Sequence, residues 1–392
     1  MKHCQKALNW HDLLLLEEGY LMFCYSFNSR QTSKLLTLFV CILLLFIFSS
    51  QVLAKQRARE LGIIVGYMEP GKNNAITDVP GVKVGQVTLI NNTRRMHTGV
   101  TAILPHDGNI YQEKVPAGFF QANGYGKMMG ISQIVELGEI ETPILLTNTL
   151  NVAESAQGII DWTLNLSGNE QVGSVNAVVG ETNDGRINDI RQRFVSPKHA
   201  LEAIAAAKSG KVEEGNVGAG TGTVAFGYKG GMGTSSRKVG EYTVGVILQA
   251  NYGGDLQILG VPIGRQLKSI EAQKTGPDGS VMIVVATDAP MSDRNLSRLA
   301  KRAILGIGKT GGIMSNGSGD YVITISTAES VRRKAGAKAE QGEVLANRQM
   351  TPFFNAVIEA TEEAVYNALF AAESVGKYKS LPKQTVLSLM KK

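Results

Sequence analysis

The chain alternates between short apolar runs and longer segments in which apolar residues recur every three to four positions. The short runs predict β-strands, and those that are apolar throughout are typical of strands covered on both faces. The longer segments predict amphipathic helices. Strands are predicted at residues 82–89, 100–104, 144–147, 175–179, 242–250, 281–287 and 321–326, and helices at 197–208, 293–307 and 353–374. This alternation indicates a layered α/β architecture, whose sheet order the pattern does not determine.

The first 54 residues differ in character from the rest of the chain. A stretch at 35–48, apolar except for Thr37, follows the basic residues Arg30 and Lys34, and a small residue, Ala54, comes shortly after it. This order is typical of a secretory signal peptide. A helix over 35–48 would span only about 21 Å, which is short of the roughly 30 Å hydrocarbon core, so a retained membrane anchor is the weaker alternative.

We therefore expect residues 1–54 to form an export leader and the remaining chain to be exported, to the periplasm. Met22 is a more natural start than Met1, because the basic flank would then lie near the N-terminus, so residues 1–21 are interpreted as an over-extended start. No linker rich in Pro, Gly or Ser interrupts the chain after the leader. Residues 55–392 are accordingly predicted to form a single domain.

Composition excludes several classes of protein. With 43% hydrophobic residues and a net charge of +6 over 392 residues, the chain is neither disordered nor strongly basic. Its basic residues are scattered, so a nucleic-acid partner is not expected. All three cysteines, Cys4, Cys24 and Cys41, lie in the leader. The chain after the leader therefore has neither a disulfide nor a thiol nucleophile.

Metal and phosphate sites find little support in the sequence. The histidines after the leader are His97, His106 and His199, and their spacing matches no metal-binding motif. The sequence also lacks a Gly-x-Ser-x-Gly elbow, so a Ser-His-Asp triad is not expected. No metal or cofactor is predicted. The glycine-rich segment at 215–233 superficially resembles a phosphate-binding loop, but no buried strand precedes it and no Gly-Lys-Ser/Thr closes it. Close backbone packing between layers or around a cleft is the preferred interpretation.

The most pointed feature is the pair Gly279-Ser280, which leads directly into an apolar strand. A simple turn before a strand is one interpretation of this sequence. A self-cleaving bond is the other, because glycine tolerates a distorted backbone that exposes its carbonyl to the next hydroxyl. Cleavage would make Ser280 an N-terminal residue, whose α-amine has a pKa of about 7.7–8.0 and can act as base for its own hydroxyl. Such an enzyme needs no histidine.

Several motifs, in a shared order over some 300 residues, point to one family. They are NAITDVPGVKVG at 74–85, TGVTAILP at 98–105, LTNT at 146–149, GETNDGRINDI at 180–190, EGNVGAGTG at 214–222, KGGMGTSSR at 229–237, NYG at 251–253 and DGSVMIVVATDAP at 278–290. Through these motifs, residues 59–372 resemble the L-aminopeptidase/D-esterase family, which includes the β-aminopeptidases.

The resemblance implies a four-layer αββα sandwich, similar in layering to the N-terminal nucleophile hydrolases but differently connected. It also implies self-cleavage between Gly279 and Ser280, with the two resulting chains staying associated, and usually a homo-oligomer. Ser280 matches the nucleophile of the family and Asn251 its oxyanion donor, a role that a side-chain amide fills without proton transfer. Ser318 and Asp320 match residues that orient the nucleophile and its amine.

Three positions depart from the family pattern. Asp320 replaces the usual glutamate, which shortens the side chain by one methylene. Lys127, in Asn123-Gly-Tyr-Gly-Lys127, stands where a carboxylate is common, and Asn183 stands where relatives often carry an aromatic residue that assists the oxyanion. Both positions are predicted to bind the substrate. A carboxylate that binds the free amine of a substrate would be replaced by a repelling charge at Lys127. An acidic or neutral amide is the substrate that this difference favours.

The resemblance therefore predicts a self-processing serine aminopeptidase or amidase that hydrolyses small peptides or related amides. An acyltransferase of the ornithine acetyltransferase type is an alternative, although its nucleophile is more typically threonine. A non-catalytic binding relative is a second alternative, in view of Lys127 and Asp320. From another class, the glycine-rich segment allows a nucleotide-binding protein that does not cleave itself.

Overall fold

Two β-sheets stack face to face, and a pair of helices covers the outer face of each sheet. The computed structural model describes residues 55–267, 279–339 and 342–391. The predicted leader, at residues 1–54, lies outside this range, and so does Asp278, the first residue of the motif at 278–290. Within it, no helix combines the length and the apolar character needed to cross a membrane.

The first sheet has five strands in the order β1-β2-β6-β7-β4. Its strands are β1 (Lys83–Asn91), β2 (Met96–Leu104), β4 (Met128–Met129), β6 (Ile144–Asn148) and β7 (Val178–Thr182). Strands β6 and β7 are parallel, and the other neighbours are antiparallel. The parallel pair places Asn148 beside Thr182, so the two strands end together at one edge of the molecule.

The second sheet has the order β10-β11-β12-β13-β3-β14, with β5 beside β3. Its strands are β3 (Glu113–Gly124), β5 (Glu139–Ile140), β10 (Gly231–Val239), β11 (Tyr242–Asn251), β12 (Ser280–Thr287), β13 (Gly319–Ser326) and β14 (Arg333–Lys334). Only β12 and β13 are parallel among these neighbours in the described residues. A separate hairpin consists of β8 (Val224–Ala225) and β9 (Tyr228–Lys229).

The helices form two outer layers and a few short connections. They are α1 (Ile131–Leu137), α2 (Val152–Leu164), α3 (Pro197–Ala205), α4 (Ile263–Gln266), α5 (Asp293–Lys309), α6 (Met350–Ala371) and α7 (Lys383–Met390). Helices α2 and α3 pack on the first sheet, and α5 and α6 pack on the second. Ser292 caps α5 by accepting a hydrogen bond from the Asn295 N–H, at 3.3 Å.

Strand β12 shows how the layers are built, because its side chains alternate between two cores. Val281, Ile283 and Val285 pack toward α5 and α6. Met282 and Val284 pack between the two sheets, as the two-residue period of a strand requires. A third core lies between the first sheet and helices α2 and α3. The four-layer αββα sandwich predicted from the sequence is therefore confirmed.

Every strand and helix predicted above has a counterpart, although the strand predicted at 175–179 is Val178–Thr182. Strands β3 and β10 and helix α2 were not predicted. Strand β10 begins Gly-Met-Gly-Thr-Ser-Ser, a composition of small and polar residues that gives a weak strand signal. Its small residues allow α6 to approach closely, since a Cβ on Gly233 would lie 1.9 Å from the Ala364 carbonyl oxygen. The glycine-rich segment thus serves close backbone packing, as predicted.

A buried cluster of charges joins α6 to strand β10. Arg237 is fully buried, and its Nε and Nη2 atoms lie 3.0 Å from Glu359 and 2.7 Å from Glu363. Arg59 and Asn74 also donate hydrogen bonds to Glu363. The helix is therefore held to the sheet by charge pairing in addition to apolar packing.

Candidate active site

Ser280 is the first residue of β12 and pairs with strands on both sides. In the antiparallel register it lies opposite Asn251, the last residue of β11, and in the parallel register beside Gly319. Counting two residues at a time from Met282, the Ser280 side chain lies on the face that looks toward the other sheet. Ser280, which is 5% exposed as a residue, therefore places its hydroxyl at the edge of the space between the two sheets.

The carbonyl of Gly279 lies within reach of the Ser280 hydroxyl. The Ser280 Oγ donates to the Gly279 carbonyl oxygen at 2.7 Å, and the Gly319 N–H donates to the same oxygen at 3.2 Å. A Cβ on Gly279 would lie 2.1 Å from the Asn251 carbonyl oxygen and 2.5 Å from the Tyr252 Cα. Both are backbone atoms that cannot move aside easily. Only glycine fits at this position without displacing the neighbouring strand.

Asn251 points the same way as Ser280 and is held at both ends of its amide. Its Oδ1 accepts from the Val224 N–H at 2.9 Å, and its Nδ2 donates to the Asn183 carbonyl oxygen at 3.0 Å. The amide orientation is therefore fixed, with the NH₂ group turned toward the first sheet. A fixed amide beside a nucleophile is suited to stabilise an oxyanion, because it needs no reorganisation during the reaction.

The glycine-rich segment that supplies Val224 is itself tied down by a buried lysine. Lys229 Nζ donates to the carbonyl oxygens of Gly220 and Gly230, at 3.0 and 2.8 Å. Burial lowers the pKa of Lys229 to about 7, although the nearby Asp184 opposes that shift. The lysine closes the turn from which the Val224 N–H reaches Asn251.

Ser318 and Asp320 lie behind Ser280, with Ser318 just before β13 and Asp320 as the second residue of that strand. Asp320 Oδ1 accepts from the Ser318 hydroxyl at 2.7 Å and from the Val281 N–H at 3.2 Å. Its other oxygen, Oδ2, is buried and has no hydrogen-bond partner among the described residues. The direct contact from this segment to the Ser280 hydroxyl comes from the Gly319 N–H, at 3.2 Å. The predicted pair thus flanks Ser280 from its backbone side.

The Asp320 carboxyl makes stability depend on pH. Burial raises its pKa from 3.8 to about 6, against the opposing hydrogen bonds from Ser318 and Val281. Between these values the unfolded chain releases a proton that the folded chain keeps, so the free energy of unfolding falls as the pH rises. We expect the free energy of unfolding to fall by about 2 kcal/mol between pH 4 and 7 relative to Asp320→Asn.

Urea denaturation of both proteins, in a Ser280→Ala background that lacks the Ser280 hydroxyl, measures this difference. All other titrating groups are shared, so they cancel in the comparison. A difference between the two proteins that stays constant from pH 4 to pH 7 would contradict the expected cost of ionising Asp320.

A cavity of about 540 Å³ opens directly onto Ser280. Five of the predicted residues line it, namely Lys127, Asn183, Asn251, Gly279 and Ser280. The described lining residues are Tyr125, Lys127, Thr149, Glu181, Asn183, Arg186, Asn251, Gly279, Ser280, Asn316 and Gly317. Ser318 and Asp320 lie outside this lining. The structure therefore separates the predicted residues into a group facing the cavity and a pair that supports the strand.

Glu181 is a charged residue of this cavity that the sequence analysis did not single out. It is 2% exposed and is the penultimate residue of β7. Its carboxylate accepts from the Lys127 N–H at 2.9 Å and from the Thr149 hydroxyl. A glutamate near the end of an otherwise apolar strand, within the GETNDG motif, was the available signal. Lys127 stands where the family commonly has a carboxylate, but the cavity still contains one, that of Glu181 on the neighbouring strand β7.

Asn183 contributes through its backbone as well as its side chain. Its carbonyl oxygen receives the Asn251 amide, and its Oδ1 accepts from the Gly185 N–H at 2.9 Å. The side chain therefore stabilises a turn at the cavity wall. The position is close to Asn251, as the motif comparison implied.

Comparison with known proteins gives a consistent result. The model of Peptidase family S58 matches residues 74–381. The chain is 41% identical over 347 residues to the β-peptidyl aminopeptidase BapA of Sphingosinicella microcystinivorans, which covers 81% of this chain and 86% of that protein.

Two solved structures superpose closely. The PH0078 protein from Pyrococcus horikoshii OT3 is 46% identical, with a TM-score of 0.80 over 86% of this chain and 99% of its own. The L-aminopeptidase D-Ala-esterase/amidase from Ochrobactrum anthropi, described as a variant of the Ntn hydrolase fold, is 35% identical, with a TM-score of 0.80 over 86% of this chain and 98% of its own. The chain belongs to Peptidase family S58 and is a serine aminopeptidase.

Proposed function

We propose that the chain cuts itself between Gly279 and Ser280 and that the freed Ser280 is the nucleophile of the aminopeptidase. The observation that carries this proposal is the position of the Ser280 hydroxyl. It contacts the carbonyl group that precedes it in the chain, at 2.7 Å, and it faces the cavity that also contains Asn251. One hydroxyl is therefore placed for both reactions, first on its own chain and then on a substrate.

In the first reaction, Ser280 Oγ attacks the Gly279 carbonyl carbon, and the Gly279 oxygen becomes negatively charged. The Gly319 N–H, 3.2 Å from that oxygen, stabilises this charge. The C–N bond then breaks, the Ser280 nitrogen takes the proton that the hydroxyl has lost and becomes an amine, and an ester links Gly279 to Ser280 Oγ. Water hydrolyses the ester, which leaves a carboxylate on Gly279 and a free hydroxyl on Ser280.

In the second reaction, the new α-amine takes the proton from the Ser280 hydroxyl as it attacks the carbonyl of a substrate. Asn251 Nδ2 donates to the oxygen of the tetrahedral intermediate through the second of its two N–H bonds, while the first stays on the Asn183 carbonyl. The unpartnered Asp320 Oδ2 is available to accept a hydrogen bond from the amine. Glu181 is placed to bind the substrate's own ammonium group, which restricts cleavage to the N-terminal residue.

The substrates proposed are small peptides and amides that begin with an unblocked β-amino acid residue. The support is the 41% identity to a β-peptidyl aminopeptidase over most of both chains, together with a carboxylate in the cavity for a free amine. We also propose that residues 1–54 direct export to the periplasm and are removed, that the two cut chains stay associated, and that copies form a homo-oligomer. The leader pattern and the family resemblance support these points.

The experiment is an intact-mass measurement on purified wild-type protein, combined with N-terminal sequencing. We expect two polypeptides, one ending at Gly279 and one starting at Ser280, and hydrolysis of a β-alanyl anilide by the same sample. An active protein that remains one chain would overturn the proposed nucleophile. A protein that cuts itself but hydrolyses no unblocked amide would overturn the proposed substrate class.

A further inference from the structure

The cavity at Ser280 contains a carboxylate and an ammonium group side by side. Lys127 Nζ lies 3.8 Å from Glu181 Oε1. The lysine side chain is 58% exposed, while the glutamate side chain is 2% exposed. Arg186 lines the same cavity and adds a second basic side chain. Among the described residues that line this cavity, positive side chains outnumber negative ones by two to one.

The Lys127 ammonium group is not needed to hold Glu181 in place. The carboxylate already accepts from the Lys127 backbone N–H and from the Thr149 hydroxyl. An ion pair with a partner this exposed contributes about 0–1 kcal/mol to stability. The Lys127 ammonium group contributes little to stability but faces the cavity at Ser280, so contact with a substrate is the better explanation for its position.

Two adjacent charges of opposite sign select for a substrate with the complementary pair. An ammonium group alone would meet a carboxylate that Lys127 already neutralises in part. A substrate carbon that carries both an ammonium and a carboxylate group would satisfy both residues, with the ammonium on Glu181 and the carboxylate on Lys127. Complementary charges of this kind determine specificity more than overall affinity.

We propose that the preferred substrates are β-aspartyl amides and peptides, in which the aspartyl side-chain carbonyl forms the scissile bond. This inference rests on the proposed function, because a β-aspartyl residue is a β-amino acid that carries a carboxylate on its amine-bearing carbon. Ser280 Oγ would attack the β-carbonyl, and the leaving amine would depart with the proton taken from that hydroxyl. Water would then release aspartate from the ester and restore the free hydroxyl.

The test compares two anilides with the same leaving group, β-aspartyl anilide and 3-aminobutanoyl anilide. The second replaces the carboxylate by a methyl group and keeps the amine in place. We expect wild-type kcat/KM to be about tenfold higher for the β-aspartyl compound. In Lys127→Met, which retains a long side chain and removes the charge, we expect this preference to disappear, and in Lys127→Glu we expect it to reverse.

Lys198→Met is the matched control, since Lys198 is an exposed lysine paired with Glu202 at 3.6 Å and lies outside the cavity lining. It should retain the wild-type preference. Intact mass of every variant reports whether it has cut itself, which separates a specificity change from failed maturation. An α-aspartyl anilide is included, and a preference for it over the β-aspartyl compound would also contradict the proposal.

The outcomes distinguish this inference from the proposed function. A self-cut protein that hydrolyses the neutral amide at least as well as the β-aspartyl amide would overturn the inference alone. So would Lys127→Met with an unchanged preference. A self-cut protein that hydrolyses neither β-amide would overturn the proposed substrate class and this inference with it.

Discussion

Ser280→Ala is expected to remain a single uncut chain and to lose amidase activity by roughly 10⁴-fold or more. The substitution removes the Ser280 Oγ, which lies 2.7 Å from the Gly279 carbonyl oxygen. It also leaves the α-nitrogen of residue 280 locked in a peptide bond, so that both nucleophile and base are missing. Denaturing electrophoresis, intact mass and anilide hydrolysis on the same preparation measure the three losses.

Ser292→Ala provides a matched control. Ser292 is a serine of the same sheet-helix unit that caps α5, and its loss should cost about 1 kcal/mol of stability while cleavage proceeds. Ser280→Thr keeps a hydroxyl and is expected to cut itself more slowly. A Ser280→Ala protein that still yields a fragment beginning at residue 280 would contradict the mechanism.

Arg237→Met is expected to lower the free energy of unfolding by about 3–5 kcal/mol. The methionine fills much of the space of the guanidinium stem, but it removes the cation paired with Glu359 and leaves Glu363 with Arg59. A buried carboxylate that loses its charged partner costs more than the lost pair contributed. Urea denaturation in the Ser280→Ala background measures the effect on one intact chain.

Arg193→Met is the comparison for this result. Arg193 pairs with Glu154, but its side chain is more than half exposed, so solvent screens the pair. Its replacement should change the free energy of unfolding by less than about 1 kcal/mol. If Arg237→Met were equally mild, the buried cluster would not be what fixes α6 to the sheet.

Sequence reasoning succeeded where a pattern is local. The run after Ser280 is continuously apolar and the Gly279-Ser280 pair precedes it directly, so the strand could be predicted with Ser280 at its start. Asn251 was singled out through the family resemblance, and it directly follows the apolar run at 242–250. What the pattern could not supply is that these two strand ends lie opposite each other, because pairing between distant segments leaves no periodic signal in either one.

The same limit explains why Glu181 was missed. At Lys127 the sequence shows a basic residue in place of an expected carboxylate, and only the folded chain shows a second carboxylate reaching the same cavity from β7. Strand β10 was missed for a different reason. Its glycines and serines allow α6 to approach closely. Packing against α6 therefore outweighs the usual preference of strands for branched and aromatic side chains.

The order of strands in the second sheet has a consequence for the working life of the enzyme. A cut before Ser280 would leave β3, β5, β10 and β11 on one polypeptide and β12, β13 and β14 on the other, with β12 and β13 enclosed between strands of the first. The pieces could not separate without breaking three ladders, so they should part only on complete unfolding. Refolding would then require two molecules to meet, and its yield would depend on concentration. The mature enzyme would have folded once, as a single chain, and could not easily fold again as two. Its lifetime would therefore be set by its rate of unfolding.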